Sequence, residues 1–192
     1  DLKPDFISET YGAGGSAADS ATLDIAALIK NRYHIEPLMH LTCLYHSREE
    51  VLGILQAMER QGVDNIMALR GDILPEVEPK QDFRYASELT AFIRERSAVG
   101  VSGACYPEGH LECESMVRDV LNLKRKTEAG CSHLVSQLFF DNDLFYSFRE
   151  RLAIAGIEIP VQAGVMPVTN VKQIQRMVTM CRASLPPKFT KM

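Results

Sequence analysis

The sequence predicts an α/β fold of about six βα units, an incomplete (β/α)8 TIM barrel, and three observations predict it. Short apolar or β-branched runs alternate six times with amphipathic stretches along the 192 residues, the signature of a parallel sheet covered by helices. The first residues of successive strand candidates are spaced by 31, 28, 34, 34 and 25 residues, with no composition shift that would mark a linker. Thr10, His40, Asp72, Tyr106, His110 and Gln137 fall at or just beyond the C-terminal ends of different strand candidates, where barrel active sites are assembled. Eight units of roughly 30 residues need about 240, near the usual barrel of about 250. The expectation is therefore a single partial barrel domain over residues 1–192, two units short.

Composition narrows the class. With 46% apolar and 24% charged residues and a net charge of −4, the chain has the proportions of a globular domain with a sizeable core. The only basic cluster is Lys124-Arg125-Lys126, too small a footprint for nucleic acid. No apolar run approaches a bilayer span and no signal peptide opens the chain, so no membrane role is expected. Cys43, Cys105, Cys113, Cys131 and Cys181 are odd in number and form no C-x-x-C pair, which argues against a disulfide framework or a zinc site and for a cytoplasmic setting. No metal is expected. The chain starts at Asp1 without an initiator Met, so it is expected to be a piece of something longer.

The strand candidates are Phe6–Tyr11, Pro37–Leu44, Asn65–Gly71, Val99–Tyr106, His133–Phe140 and Glu158–Met166. Ser47 and Glu50 form a capping box for a helix with Val51, Leu55 and Met58 on one face, and Gly62 sits where a C-cap glycine belongs. A helix over residues 114–129 carries Met116, Val120, Leu123 and Thr127 towards the sheet. Asp141 caps a helix burying Leu144, Phe145, Phe148 and Leu152, and Asn170 one carrying Val171, Ile174, Met177, Val178 and Cys181. Gly130 and Gly156 close two of these helices. An open doubly wound sheet uses the same units, and Gly12-Ala13-Gly14-Gly15-Ser16 invites that reading, but it lacks the G-x-G-x-x-G spacing.

Several residues could carry chemistry. Ala68-Leu69-Arg70-Gly71-Asp72 ends a strand abruptly before a long loop, as at sites where a loop covers a ligand; a solvated strand end reads equally well. His40 and Thr42 share one strand face, so His40 is expected to hydrogen-bond rather than bind metal. Gln137 lies among aromatics and needs partners for its amide, either neighbouring strands or a ligand with a matching planar edge. On the 114–129 helix, Ser115, Asp119, Asn122 and Lys126 form one polar stripe with Arg125 beside it: a solvated outer face, or a grip for ribose hydroxyls and a diphosphate. No lysine ends a strand and no nucleophile elbow appears, so the site suits the holding of a reactive cofactor better than covalent catalysis.

Taken in order, Thr10-Tyr11-Gly12-Ala13, His40-Leu41-Thr42-Cys43, Ala68-Leu69-Arg70-Gly71-Asp72, Tyr106-Pro107-Glu108, Asn122-Leu123-Lys124-Arg125-Lys126, Gln137-Leu138-Phe139-Phe140-Asp141 and Pro167-Val168-Thr169-Asn170 resemble the methylenetetrahydrofolate reductase family over nearly the whole chain. The resemblance implies FAD at the C-terminal ends of the barrel strands. It also implies NADH or NADPH as hydride donor, and 5,10-methylenetetrahydrofolate as acceptor at the same flavin. On it, Thr10, His40, Leu69, Arg70, Gly71, Asp72, Tyr106 and His110 would contact the flavin and its ribityl chain. Asp119, Asn122, Arg125 and Lys126 would hold the ADP part, Asp72 and Gln137 the pterin edge, and Gln173 the nicotinamide cofactor. Asp72 would also tune the flavin and steady a cationic intermediate. Relative to the family the first strand, with its general-acid glutamate, and the last strand are missing. Met177 stands where some members have an aromatic. A homo-oligomer is compatible with such barrels. The rival readings are a non-catalytic flavin- or nucleotide-binding barrel fragment and an unrelated TIM-barrel lyase.

Overall fold

The computed structural model describes residues 2–10, 16–181 and 183–187. Tyr11 to Gly15, and with them most of the glycine-rich stretch, lie outside the described residues. Strands and helices alternate in six units: β1 (Phe6–Glu9), α1 (Ser16–Tyr33), β2 (Glu36–Thr42), α2 (Arg48–Gln61), β3 (Asn65–Leu69), α3 (Ala86–Arg96), β4 (Gly100–Cys105), α4 (Met116–Glu128), β5 (His133–Leu138), α5 (Asn142–Ile154), β6 (Val161–Gly164) and α6 (Val171–Cys181). Every pairing described below is parallel, so the repeat is that of an α/β fold of incomplete TIM-barrel kind, as the spacing predicts. Five of the six strands stop two residues short of their expected C-terminal ends, and β4 stops one short.

The chain forms two compact units, one of residues 1–103 and 129–132, the other of residues 104–128 and 133–192. In the first unit β1 pairs with β2, β2 with β3 and β3 with β4. Met39 and Leu41 on one face of β2, with Ile66 and Ala68 of β3, pack against Leu23, Ala26 and Ala27 of α1 and Val51, Leu55 and Met58 of α2. The core is made on the helix side of the sheet, which leaves His40 and Thr42, on the opposite face, half-buried. Helix α2 begins on the expected capping box: Glu50 N donates to Ser47 Oγ at 3.2 Å and Ser47 N to Glu50 Oε2 at 2.7 Å. It ends on Gly62 in the left-handed region, φ 69°, where a side chain would be strained.

In the second unit β5 pairs with β6, with an irregularity between Val135 and Leu138. Helix α4 buries Val120 and Leu123, while Met116 and Thr127, expected on the same face, are half-buried. Asp141 Oδ1 accepts from Asp143 N at 2.9 Å and starts α5, which buries Phe148 and Leu152 and leaves Leu144 and Phe145 half-buried. Asn170 Oδ1 accepts from Gln173 N at 2.9 Å and starts α6. Of the apolar residues expected to line α6, Ile174 is buried, Met177, Val178 and Cys181 are half-buried, and Val171 is 69% exposed.

Candidate active site

In the first unit the polar residues gather where β1, β2 and β3 end. Thr10 follows β1 directly and is exposed, whereas His40 sits two residues before the end of β2. Ser8 Oγ and His40 Nε2 share a hydrogen bond at 2.8 Å, with the proton on either side according to the ring tautomer. Burial lowers the His40 pKa, so the ring is held neutral near pH 7. Beyond β3, Leu69 O accepts from Cys43 N at 2.9 Å, and Arg70 O accepts from Cys43 N at 3.2 Å and Leu44 N at 3.1 Å. The chain then turns at Gly71, φ 88°, so close that a Cβ there would stand 3.1 Å from Thr42 Cβ. A residue with a side chain would both strain that backbone and press on Thr42. Arg70 Nε donates to Gly71 O at 3.2 Å, and Asp72 is exposed.

Three first-unit features escaped the sequence reading. Ser8, the partner of His40, was readable as the residue two before Thr10 and so on the same strand face. Glu9, at the end of β1, faces the side of Met39 and Leu41, and burial raises its pKa to about 6. Its Oε2 is buried without a hydrogen-bond partner among the described residues. Tyr45, in the turn after β2, accepts a hydrogen bond from Leu74 N at 2.7 Å; no local pattern marks it.

In the second unit Tyr106 follows β4, and its ring meets that of His110 edge-on with centroids 4.7 Å apart. His110 N donates to Asp119 Oδ2 at 3.2 Å, so the loop is fastened to the first turn of α4. Asp119 is pushed above the usual carboxylate range, mainly by burial and against the pull of that N–H. Along α4 the expected stripe is present: Arg125 Nη1 donates to Asn122 Oδ1 at 3.4 Å, and Lys126 Nζ donates to Ala104 O at 2.7 Å. A cavity of about 340 Å3 opens at the start of α4, lined among others by Glu108, His110, Cys113, Ser115, Met116 and Ser184. Ser184 N donates to both Glu108 oxygens, at 2.9 and 3.0 Å, and its hydroxyl bonds Oε2 as well.

Gln137 is half-buried, and its Oε1 accepts from Leu138 N at 2.9 Å inside the β5–β6 irregularity. Gln173 is exposed on α6, and its Oε1 accepts from Thr169 Oγ1 at 3.0 Å. Each unit thus brings its own expected residues together: Thr10, His40, Leu69, Arg70, Gly71 and Asp72 at the strand ends of the first, Tyr106, His110, Asp119, Asn122, Arg125 and Lys126 around α4 in the second. Gln137 and Gln173 stand on other elements of the second unit.

A parallel βα repeat with hydrogen-bonding side chains at its strand ends defines a class, the α/β fold of incomplete TIM-barrel kind. The solved structure of a 2,3-dimethylmalate lyase has this fold, with a TM-score of 0.60 over 92% of this chain and 65% of that one, at 13% identity. Likeness at that identity is one of fold alone. The chain itself belongs to the methylenetetrahydrofolate reductase family, which it matches over residues 1–192. It is 40% identical to the 5,10-methylenetetrahydrofolate reductase of Pectobacterium carotovorum over all of its length and 63% of that protein. With the Escherichia coli enzyme of the same name it shares 38% identity, again over the whole chain, and 64% of that protein. The chain therefore spans somewhat less than two thirds of these curated relatives. No helix among the described residues is long and apolar enough to cross a membrane.

Proposed function

We propose that the protein carrying this chain reduces 5,10-methylenetetrahydrofolate to 5-methyltetrahydrofolate with NADH or NADPH and FAD, and that residues 1–192 are the greater part of its single catalytic barrel. The observation that carries this reading is the family match across every residue of the chain. When bound, FAD would supply the hydride chemistry, accepting from the nicotinamide and giving to the folate. The residues present fit it. Gly71 exposes bare backbone beside Thr42, and a neutral His40 held by Ser8 offers a ring nitrogen without a charge. Carboxylate, amide and guanidinium follow one another along α4.

In this reading Thr10, His40, Leu69, Arg70, Gly71 and Asp72 bind the flavin and ribityl chain, with Tyr106 and His110. Asp119 and Asn122 take the ribose hydroxyls, and Arg125 and Lys126 hold the diphosphate. Lys126 would exchange its bond to Ala104 O for a phosphate oxygen. Asp72 places a negative charge beside the reacting centre, where it steadies a cationic folate. Gln137 meets the pterin edge through its amide NH2, because its Oε1 is occupied by Leu138 N. Gln173 meets the nicotinamide cofactor or the folate from α6. The thiols of Cys43, Cys113 and Cys181, free in the structure, suit a reducing cytoplasm.

The test is the visible spectrum of the complete protein, followed by anaerobic addition of NADH and then methylenetetrahydrofolate. A yellow flavin absorption that bleaches with the first and returns with the second is expected. Flavin that bleaches but does not return would leave a flavin-binding barrel without the folate reaction. A protein that stays colourless with added FAD would overturn the reading and favour a lyase.

A further inference from the structure

The loop after Asp72 is fastened at intervals to the turn that joins β2 to α2 and to the first turn of α2. Lys80 N donates to Leu44 O at 2.7 Å, Arg48 N donates to Asp82 Oδ1 at 3.1 Å, and Lys80 Nζ bonds both carboxylate oxygens of Glu50 at 2.5 Å. These ties hold the far end. The near end is tied to the β2–α2 turn, among the described residues, from Leu74 N to the Tyr45 hydroxyl, beside a local turn in which Val77 N donates to Leu74 O at 3.3 Å. On the other side of Asp72, Arg70 O is pinned by Cys43 N and Leu44 N. Gly71-Asp72-Ile73 is thus a three-residue span between two anchors that both stand on residues 43–45.

Resting on the function proposed above, in which Asp72 meets the folate, we propose that Tyr45 is a positioning residue for Asp72. Its phenol fixes the downstream end of a span whose upstream end is fixed by backbone pairing. With both ends held, the few soft dihedrals on either side of Asp72 have little freedom, and the carboxylate is presented at one place without waiting for the ligand. Remove the hydroxyl and the span loses its downstream anchor on that turn, while the loop beyond Lys80 stays docked. Tyr45 touches neither cofactor nor substrate in this scheme and acts only through Asp72.

The experiment uses the complete protein with Tyr45→Phe, which keeps the ring and deletes the hydroxyl. Flavin content and the rate of flavin reduction by NADH should match the parent, while reoxidation by methylenetetrahydrofolate slows roughly two- to tenfold, the scale of one lost hydrogen bond. Lys80→Met, which loosens the far end instead, should leave reoxidation unchanged, as should Tyr146→Phe on the exposed face of α5. Reoxidation at the parental rate in Tyr45→Phe would overturn the inference, and so would equal slowing of both half-reactions, which marks a general loosening of the fold. A parent protein whose flavin is not bleached by NADH would overturn the proposed function itself, a result read before any variant is made.

Discussion

Replacing Gly164 by alanine probes the tightest approach in the second unit. A Cβ at this position would stand 2.4 Å from Ser136 O and 3.1 Å from both Gln137 C and Leu138 N. A carbon facing a carbonyl oxygen needs about 3.3 Å, so β5 and β6 would have to part by roughly 0.9 Å. Nothing flexible can yield, because all three neighbours are backbone. Overpacking of this kind costs about 1–3 kcal/mol. The separation would also stretch the bond from Gly164 N to Ser136 Oγ, now 2.9 Å, worth about 1 kcal/mol more. The sum predicts a loss of about 3 kcal/mol in urea denaturation followed by circular dichroism, with an unchanged slope. Gly53→Ala is the matched control with the opposite sign. Gly53 is exposed in the middle of α2 with no atom within 4 Å of a built Cβ, so alanine there should gain about 0.5–1 kcal/mol. A Gly164→Ala protein within about 0.5 kcal/mol of the parent would refute the close strand approach, and with it the place given to Gln137 in the irregularity beside it.

Ser47→Ala removes one half of the capping box and should destabilise the chain by about 1 kcal/mol in the same urea assay. Glu9→Gln should act through pH. Burial raises the Glu9 pKa from 4.5 to about 6, so the folded state holds the proton more tightly than the unfolded chain and loses stability as pH rises through that window. The variant should therefore unfold at higher urea than the parent above about pH 6 and at the same urea well below pH 4.5, and a pH-independent difference would count against an ionised carboxylate at this buried position. Asn122→Ala and Arg125→Ala change exposed side chains of α4 and should weaken FAD binding, read by fluorescence titration of the complete protein, with no shift in urea midpoint. Unchanged affinity would remove α4 from the proposed cofactor site.

The six strands and their parallel pairing were legible because alternation of short apolar runs with amphipathic segments leaves few other solutions. Their C-terminal ends were read too long, for a reason that lies in the site. At β3, Arg70 O is taken by two amides of the β2–α2 turn and Gly71 then turns away, so the ladder stops at Leu69 although the chain runs on towards Asp72. The caps at Ser47, Asp141 and Asn170 were legible since each is a local bond between residues two or three apart. The α6 face was not: periodicity marked Val171, Ile174 and Val178 as one stripe, but a stripe says nothing of what covers it, and Ile174 alone is buried. The positions of Thr10, His40, Asp72 and Tyr106 followed from strand ends. Tyr45 and Ser184 did not, because their roles come from partners 29 and 76 residues away that only the folded chain brings near.

The Glu50 carboxylate serves two masters. It completes the cap of α2 through Ser47 N and grips Lys80 on the far side of the loop, and together these hold its pKa down to about 2. A single side chain thus joins the fraying of a helix start to the lifting of a distant loop. In native-state hydrogen exchange the two would open as one cooperative unit, with the amides of Glu50, Val51 and Lys80 sharing a single opening free energy. Protonation of Glu50 in acid would weaken both ties together, since each is made to its ionised carboxylate.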